Sequence, residues 1–151
     1  MQADHPLTRS EVIERYHRFV QDFRLEAGRV WLGGGSALII HDLRDTTMDL
    51  DGGCTDLTMS VVQRHHGEPP VRKTVEDGFL QECQLLTLPK YDMDLHTEAG
   101  TQWEDLEQID GVYVYTLEAC LRQKRLLLER LGREKDQKDI DAILAAMGGS
   151  E

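Results

Sequence analysis

Apolar residues near the start of the chain recur at helical spacing. Val12, Ile13, Tyr16, Phe19, Val20 and Phe23 form one stripe, and Thr8 with Glu11 supplies a Thr-x-x-Glu capping box. The pattern predicts a helix over 8–27, with Gly28 at its C-terminal cap. Residues 29–32 are partly apolar and bounded by glycines, as a short buried strand is. Three glycines, 33–35, then lead through Ser36 into the apolar run 37–41, which suits one or two helical turns. Residues 47–51 alternate, so Met48 and Leu50 share one face of a predicted strand while Asp49 and Asp51 share the other. Gly52-Gly53-Cys54 reads as the end of that strand.

Further on, Asp56 suits the start of a helix carrying Leu57, Val61 and Val62, whereas Pro69 and Pro70 among scattered charges read as loop. Residues 84–88 have strand character, and 91–96 alternate, which places Asp92 and Asp94 on one face of a second acid-bearing strand. An acidic loop is expected at 104–110. Residues 112–115 predict another strand, Thr116 caps a helix over 117–131, and a last helix covers 136–147. Helices and strands that interleave in this way imply an α/β (α+β) fold in a single domain over 1–151. Its parts are an N-terminal helix (8–27), a core of small mixed sheet flanked by helices (29–116), and a helical C-terminus (117–147).

Composition narrows the class. The 151 residues are 40% hydrophobic and 30% charged, which suits one globular domain. The longest apolar run, 37–40, is far below the ~20 residues of a membrane span, and the N-terminus lacks a basic-then-apolar leader. A cytoplasmic location without membrane association is expected. Cys54, Cys83 and Cys120 have neither zinc-site spacing nor even number, so free thiols and no zinc are expected. His65 and His66 are adjacent and point apart, which suits surface residues rather than metal ligands. The net charge of −11 argues against general binding to nucleic acid, although seven of the 17 basic residues fall between Arg122 and Lys138. That region is the expected docking face for a phosphate-bearing partner. Trp31 and Trp103 read as packing residues whose rings also suit stacking on a base.

The candidate chemistry lies in the glycine turn and the acids. Carboxylates at i and i+2 on a strand project together about 6–7 Å apart, suited to a divalent cation such as magnesium. Backbone N–H groups of Gly34 and Gly35 at a helix start favour phosphate oxygens, and the Ser36 hydroxyl adds a donor. Asp94, with Asp92 as the alternative, is the expected third acid, activating an attacking hydroxyl.

These residues resemble a known family. Gly34-Gly35-Ser36, a short helix, Arg44, Thr47 and Asp49-x-Asp51 are similar to the signature of the DNA polymerase beta-like nucleotidyltransferases. Their order resembles the minimal branch related to the abortive-infection AbiE-type toxins. Lys124, followed by Arg133-x-Lys135-Asp136-x-x-Asp139-Ile140, resembles that branch's C-terminal pattern. The resemblance implies a nucleotidyltransferase fold and two magnesium ions held by Asp49, Asp51 and Asp94. It also implies a nucleoside triphosphate bound through Gly34, Gly35, Ser36 and Lys124. The expected reaction moves a nucleoside monophosphate to a hydroxyl on a transfer-RNA end or a partner protein, in a toxin–antitoxin or phage-defence setting. The alternative expectation is an inactive, nucleotide-binding, antitoxin-like or regulatory module, suggested by the small size and the glycines after Asp51.

Overall fold

Alternation in the strands builds a two-faced sheet. A computed structural model describes residues 3–66, 71–75, 81–98 and 100–148. Seven strands, β1 (Val30–Gly33), β2 (Leu50–Cys54), β3 (Val71–Val75), β4 (Gln81–Leu88), β5 (Met93–Thr97), β6 (Leu106–Ile109) and β7 (Val112–Tyr115), form one mixed sheet in the order β3-β4-β5-β2-β1-β7-β6. The β1–β7 and β2–β5 pairs are parallel and the other pairs antiparallel. Val30, Leu32, Leu50, Cys54, Met93, Leu95, Val112 and Val114 alternate onto one face and are fully buried. Each such aliphatic side chain contributes roughly 1.5–3 kcal/mol by leaving water. Trp31, Gly33, Asp51, Gly53, Asp94, His96, Tyr113 and Tyr115 alternate onto the opposite face. The expected mixed sheet flanked by helices is therefore observed at the level of an α/β architecture, with α1 (Arg9–Asp22), α2 (Gly34–Ile40), α3 (Asp56–His66), α4 (Leu117–Leu131) and α5 (Glu134–Ala146).

The Thr8 capping box forms as expected: Glu11 N–H donates to Thr8 Oγ1 and Thr8 N–H to Glu11 Oε1. The helix stops at Asp22, however, short of the predicted 27. Arg24 takes a left-handed conformation (φ 54°) and Leu25 N–H turns back to the Val20 carbonyl. Gly28 accordingly lies in a 3₁₀ turn, Ala27–Arg29, instead of capping α1. Buried Tyr16 fixes that turn to the sheet, its hydroxyl 2.5 Å and 2.7 Å from the Ala27 and Val30 carbonyls and accepting from Tyr113 N–H.

Several boundaries move, with consequences for the candidate site. β2 begins at Leu50 rather than 47, because Thr47 bridges to Leu7 with hydrogen bonds in both directions. Asp49 therefore stands just ahead of the strand. Gly52 and Gly53 do not end β2; they carry it to Cys54 with full pairing to β1 and β5. Asp92 lies outside β5 in a left-handed conformation, so it does not share a strand face with Asp94. The expected acidic loop contains β6. Helix α3 starts at Asp56 but buries Thr58, Met59 and Val62, leaving Leu57 70% exposed. The expected loop at Pro69 and Pro70 lies outside the described residues. All three cysteines are buried free thiols. Among the described residues no helix is long and apolar enough to cross a membrane.

Candidate active site

The turn between β1 and α2 has little freedom. Gly34 adopts φ +52°, and a Cβ there would lie 2.2 Å from Asp51 Oδ2. Only glycine allows both the left-handed backbone and the close carboxylate. Ser36 is fully buried; its hydroxyl donates to the Gly33 carbonyl at 2.7 Å and accepts from Asp51 N–H at 3.1 Å. In this geometry Ser36 straps the turn to β2, and its donor, expected for a phosphate, is already committed to backbone. Gly35 lies beneath Arg44, whose Nη1 would stand 2.4 Å from a Cβ at that position.

Strand register assembles the acids. Gly33 on β1 pairs with Asp51 on β2, and Asp51 pairs with Asp94 on β5, so these residues run in line across three neighbouring strands. Burial first, then the negative charges of Asp49, Asp94 and Glu98, push the Asp51 carboxyl up to about 7, against a smaller opposing pull from Lys124. Asp49 is raised by burial and by Asp94. The three predicted acids thus share one electrostatic environment. Asp92 does not join it: Arg15 Nε donates to its carboxylate at 2.9 Å, tying α1 to the start of β5.

The glycine pair after Asp51 acquires a reason. A Cβ at Gly53 would lie 1.7 Å from Glu98 Oε1 and 2.2 Å from Trp31 Nε1. The Trp31 indole donates to Glu98 across this bare stretch of strand at 2.9 Å. Glu98 is a fourth acid of the site that sequence reasoning missed, for it sits beyond the alternating run and carries no motif. Trp31 is only 5% exposed and already engaged, so it is a wall of the site.

Helices α4 and α5 bring in the cations. Lys124, with its side chain only 12% exposed, lies 2.9 Å from Asp139 and 3.5 Å from Asp136. Arg44 Nη2 donates to the other oxygen of Asp139 at 3.4 Å. Asp139 therefore holds together two cations, one over Gly35 and the other near enough to Asp51 to lower its proton affinity. Arg44 belongs to the motif quoted above, yet spacing alone does not reveal that it packs on the glycine turn. Asp136 does not cap α5: it is completely buried within the first turn, where Arg133 donates to both its oxygens at 2.7 Å and 3.2 Å.

Among the described residues, no three histidine, cysteine or acidic side chains stand placed to hold a metal ion as they are. By chemistry, Asp49, Asp51 and Asp94 do suit a hard divalent cation, being oxygen donors of which Asp51 has its proton affinity raised first by burial and then by the neighbouring negative charges. The chain matches no family model, no curated protein and no solved structure.

Proposed function

We propose that the protein is a magnesium-dependent nucleotidyltransferase that moves a nucleoside monophosphate from a nucleoside triphosphate to a hydroxyl acceptor. The observation that carries this reading is the in-line set Gly33, Asp51 and Asp94. Its central carboxyl is raised to about 7 among neighbouring acids, with Lys124 and Arg44 meeting at Asp139 beside it. Acids that repel one another beside two cations suit a ligand bearing both phosphates and a divalent cation.

In this reading Asp49, Asp51 and Asp94 hold magnesium, which when bound neutralises charge on the phosphates. Arg44 and Lys124 face the triphosphate beside the glycine turn, and Ser36 keeps that turn fixed to the strand bearing Asp51. Asp94 accepts the proton of the acceptor hydroxyl as its oxygen bonds to the α-phosphorus and the bond to the β-phosphate oxygen breaks, releasing pyrophosphate. The continuity of β2 through Gly52 and Gly53 removes the strand break that had suggested an inactive module.

The test is transfer of label from each α-labelled nucleoside triphosphate, with magnesium, to acceptors in a cell extract. Labelling of a transfer-RNA end or of a protein hydroxyl identifies the acceptor class. The Asp49→Asn, Asp51→Asn double variant is expected to transfer nothing above background, and transfer at the wild-type rate would overturn the reading.

A further inference from the structure

Trp103 stands apart from every other large aromatic side chain of the described core. It is 66% exposed, yet its turn is held rigidly. Gln102 N–H donates to Asp105 Oδ2 at 3.0 Å, Arg122 bonds the other Asp105 oxygen, and Thr116 N–H closes onto the Asp105 carbonyl. One side of the indole rests on Tyr113, ring centroids 5.6 Å apart, and on Gly28, where a Cβ would come within 3.2 Å of the ring. Clefts of about 300 and 190 Å³ flank it. The larger is at the lower end of small-ligand sites, about 300 Å³.

The lining has a specific chemistry. Arg29 borders both clefts, loosely paired with Glu26 at 3.9 Å, while Gln108 offers an amide in one and Gln102 and Thr101 offer polar groups in the other. A preorganised indole face, a guanidinium and amide edges together suit a flat heteroaromatic ring with hydrogen-bonding edges and a nearby phosphate. The smaller cleft also reaches Trp31, whose indole bonds Glu98, and Thr101, whose hydroxyl is 2.6 Å from that of Tyr115. Glu98 in turn acts on Asp51. Trp31 also pairs with Gly53, two residues beyond Asp51 on the same face of β2, so the Trp103 surface adjoins the acid site along one face of the sheet. The chain's net charge of −11 disfavours an extended polyanion and favours a single base over a long strand.

We infer that Trp103, with Arg29, is a stacking subsite for one nucleobase, belonging either to the triphosphate or to the single-stranded end that accepts the nucleotide. The inference rests on the proposed nucleotidyl transfer for the identity of the ligand, and on the geometry above for the site itself.

The test is calorimetric binding of two probes to wild type, Trp103→Ala and Trp103→Phe. One probe is a nucleoside triphosphate analogue with a methylene bridge between the α- and β-phosphorus, presented with magnesium. The other is a short single-stranded oligoribonucleotide with a free 3′-hydroxyl. Trp103→Ala is expected to weaken one of them roughly 5- to 150-fold, and Trp103→Phe to retain most of the affinity. A loss confined to the analogue assigns the stacked base to the donor; a loss confined to the oligoribonucleotide assigns it to the acceptor. Wild type that binds neither probe, or equal affinities of wild type and Trp103→Ala for both, overturns the inference. Trp103-dependent binding by a protein that transfers no label leaves the inference standing and sinks the catalytic reading, so the two failures are told apart.

Discussion

Gly34 meets two constraints at once, a left-handed backbone and a carboxylate oxygen 2.2 Å from where its Cβ would be. Gly34→Ala is therefore expected to cost about 1–3 kcal/mol of stability from backbone strain alone. It should also displace Asp51, so that label transfer falls more than the stability loss explains. Urea unfolding alongside initial rates of label transfer checks this, and a variant that keeps wild-type rates would show that Asp51 is not held by the turn. Ser36→Ala isolates the strap. It removes the acceptor of Asp51 N–H without creating a clash, and the loss of this part-buried hydrogen bond is expected to cost about 1 kcal/mol. Thermal melts of Ser36→Ala and Ser36→Thr check it, with Thr expected to recover part of the loss if its methyl is accommodated.

Among the elements, the C-terminal helix pair depends on one buried charge. Burial alone raises the Asp136 carboxyl, but hydrogen bonds from Arg133 and the charge of Lys124 together outweigh it and hold the group below its ordinary range. Asp136→Ala takes the carboxylate from Arg133 and leaves Lys124 with Asp139 alone, and is expected to cost about 1–3 kcal/mol. Amide exchange should accelerate along α5 before the sheet if the helix docks through this residue. That dependence was partly legible, because the Arg133-x-Lys135-Asp136 run is conspicuous, but charged helix faces are usually solvated and nothing in the spacing marks Asp136 as buried. Other elements divide in the same way. The capping box at Thr8 and the strand at Val112–Tyr115 were readable from local chemistry, which decides them. The stop of α1 was not, because Arg24 takes a left-handed conformation usually left to glycine. β6 was overlooked although its signal was present: Asp110 and Gly111 both take positive φ (51° and 80°) in the two-residue turn that joins it to β7. The acids and the glycine turn were legible as motifs. Glu98 and the Trp31 bridge were not, since they meet only through sheet register.

For the molecule as a whole, the site places unfavourable charge inside a chain already at −11. Asp51 rises from the ordinary 3.8 to about 7 on folding, so between those values the folded chain retains a proton that the unfolded chain has lost. Folding stability from this group is thus fully present below about 4, falls as pH rises toward 7, and stays lost above it. Asp136, depressed on folding, has the opposite sign: its contribution is present at neutral pH and is lost as pH falls through its folded value. Subtracting Asp51→Asn melts from wild-type melts separates the two, since only the Asp51 contribution is removed. The stability gained by Asp51→Asn is expected to be small at pH 4 and to grow up to pH 8. A cation competes with the proton for the same carboxylate. Magnesium at ten times its dissociation constant is therefore expected to stabilise wild type at pH 8 by about 1.4 kcal/mol, roughly 3–6 °C in Tm, and much less at pH 5. Asp51→Asn should show little response at either pH. Melts at the two pH values with magnesium and with a chelator read all of this together. Equal magnesium responses in wild type and Asp51→Asn would mean that the raised carboxyl reflects burial alone and that the cation binds elsewhere.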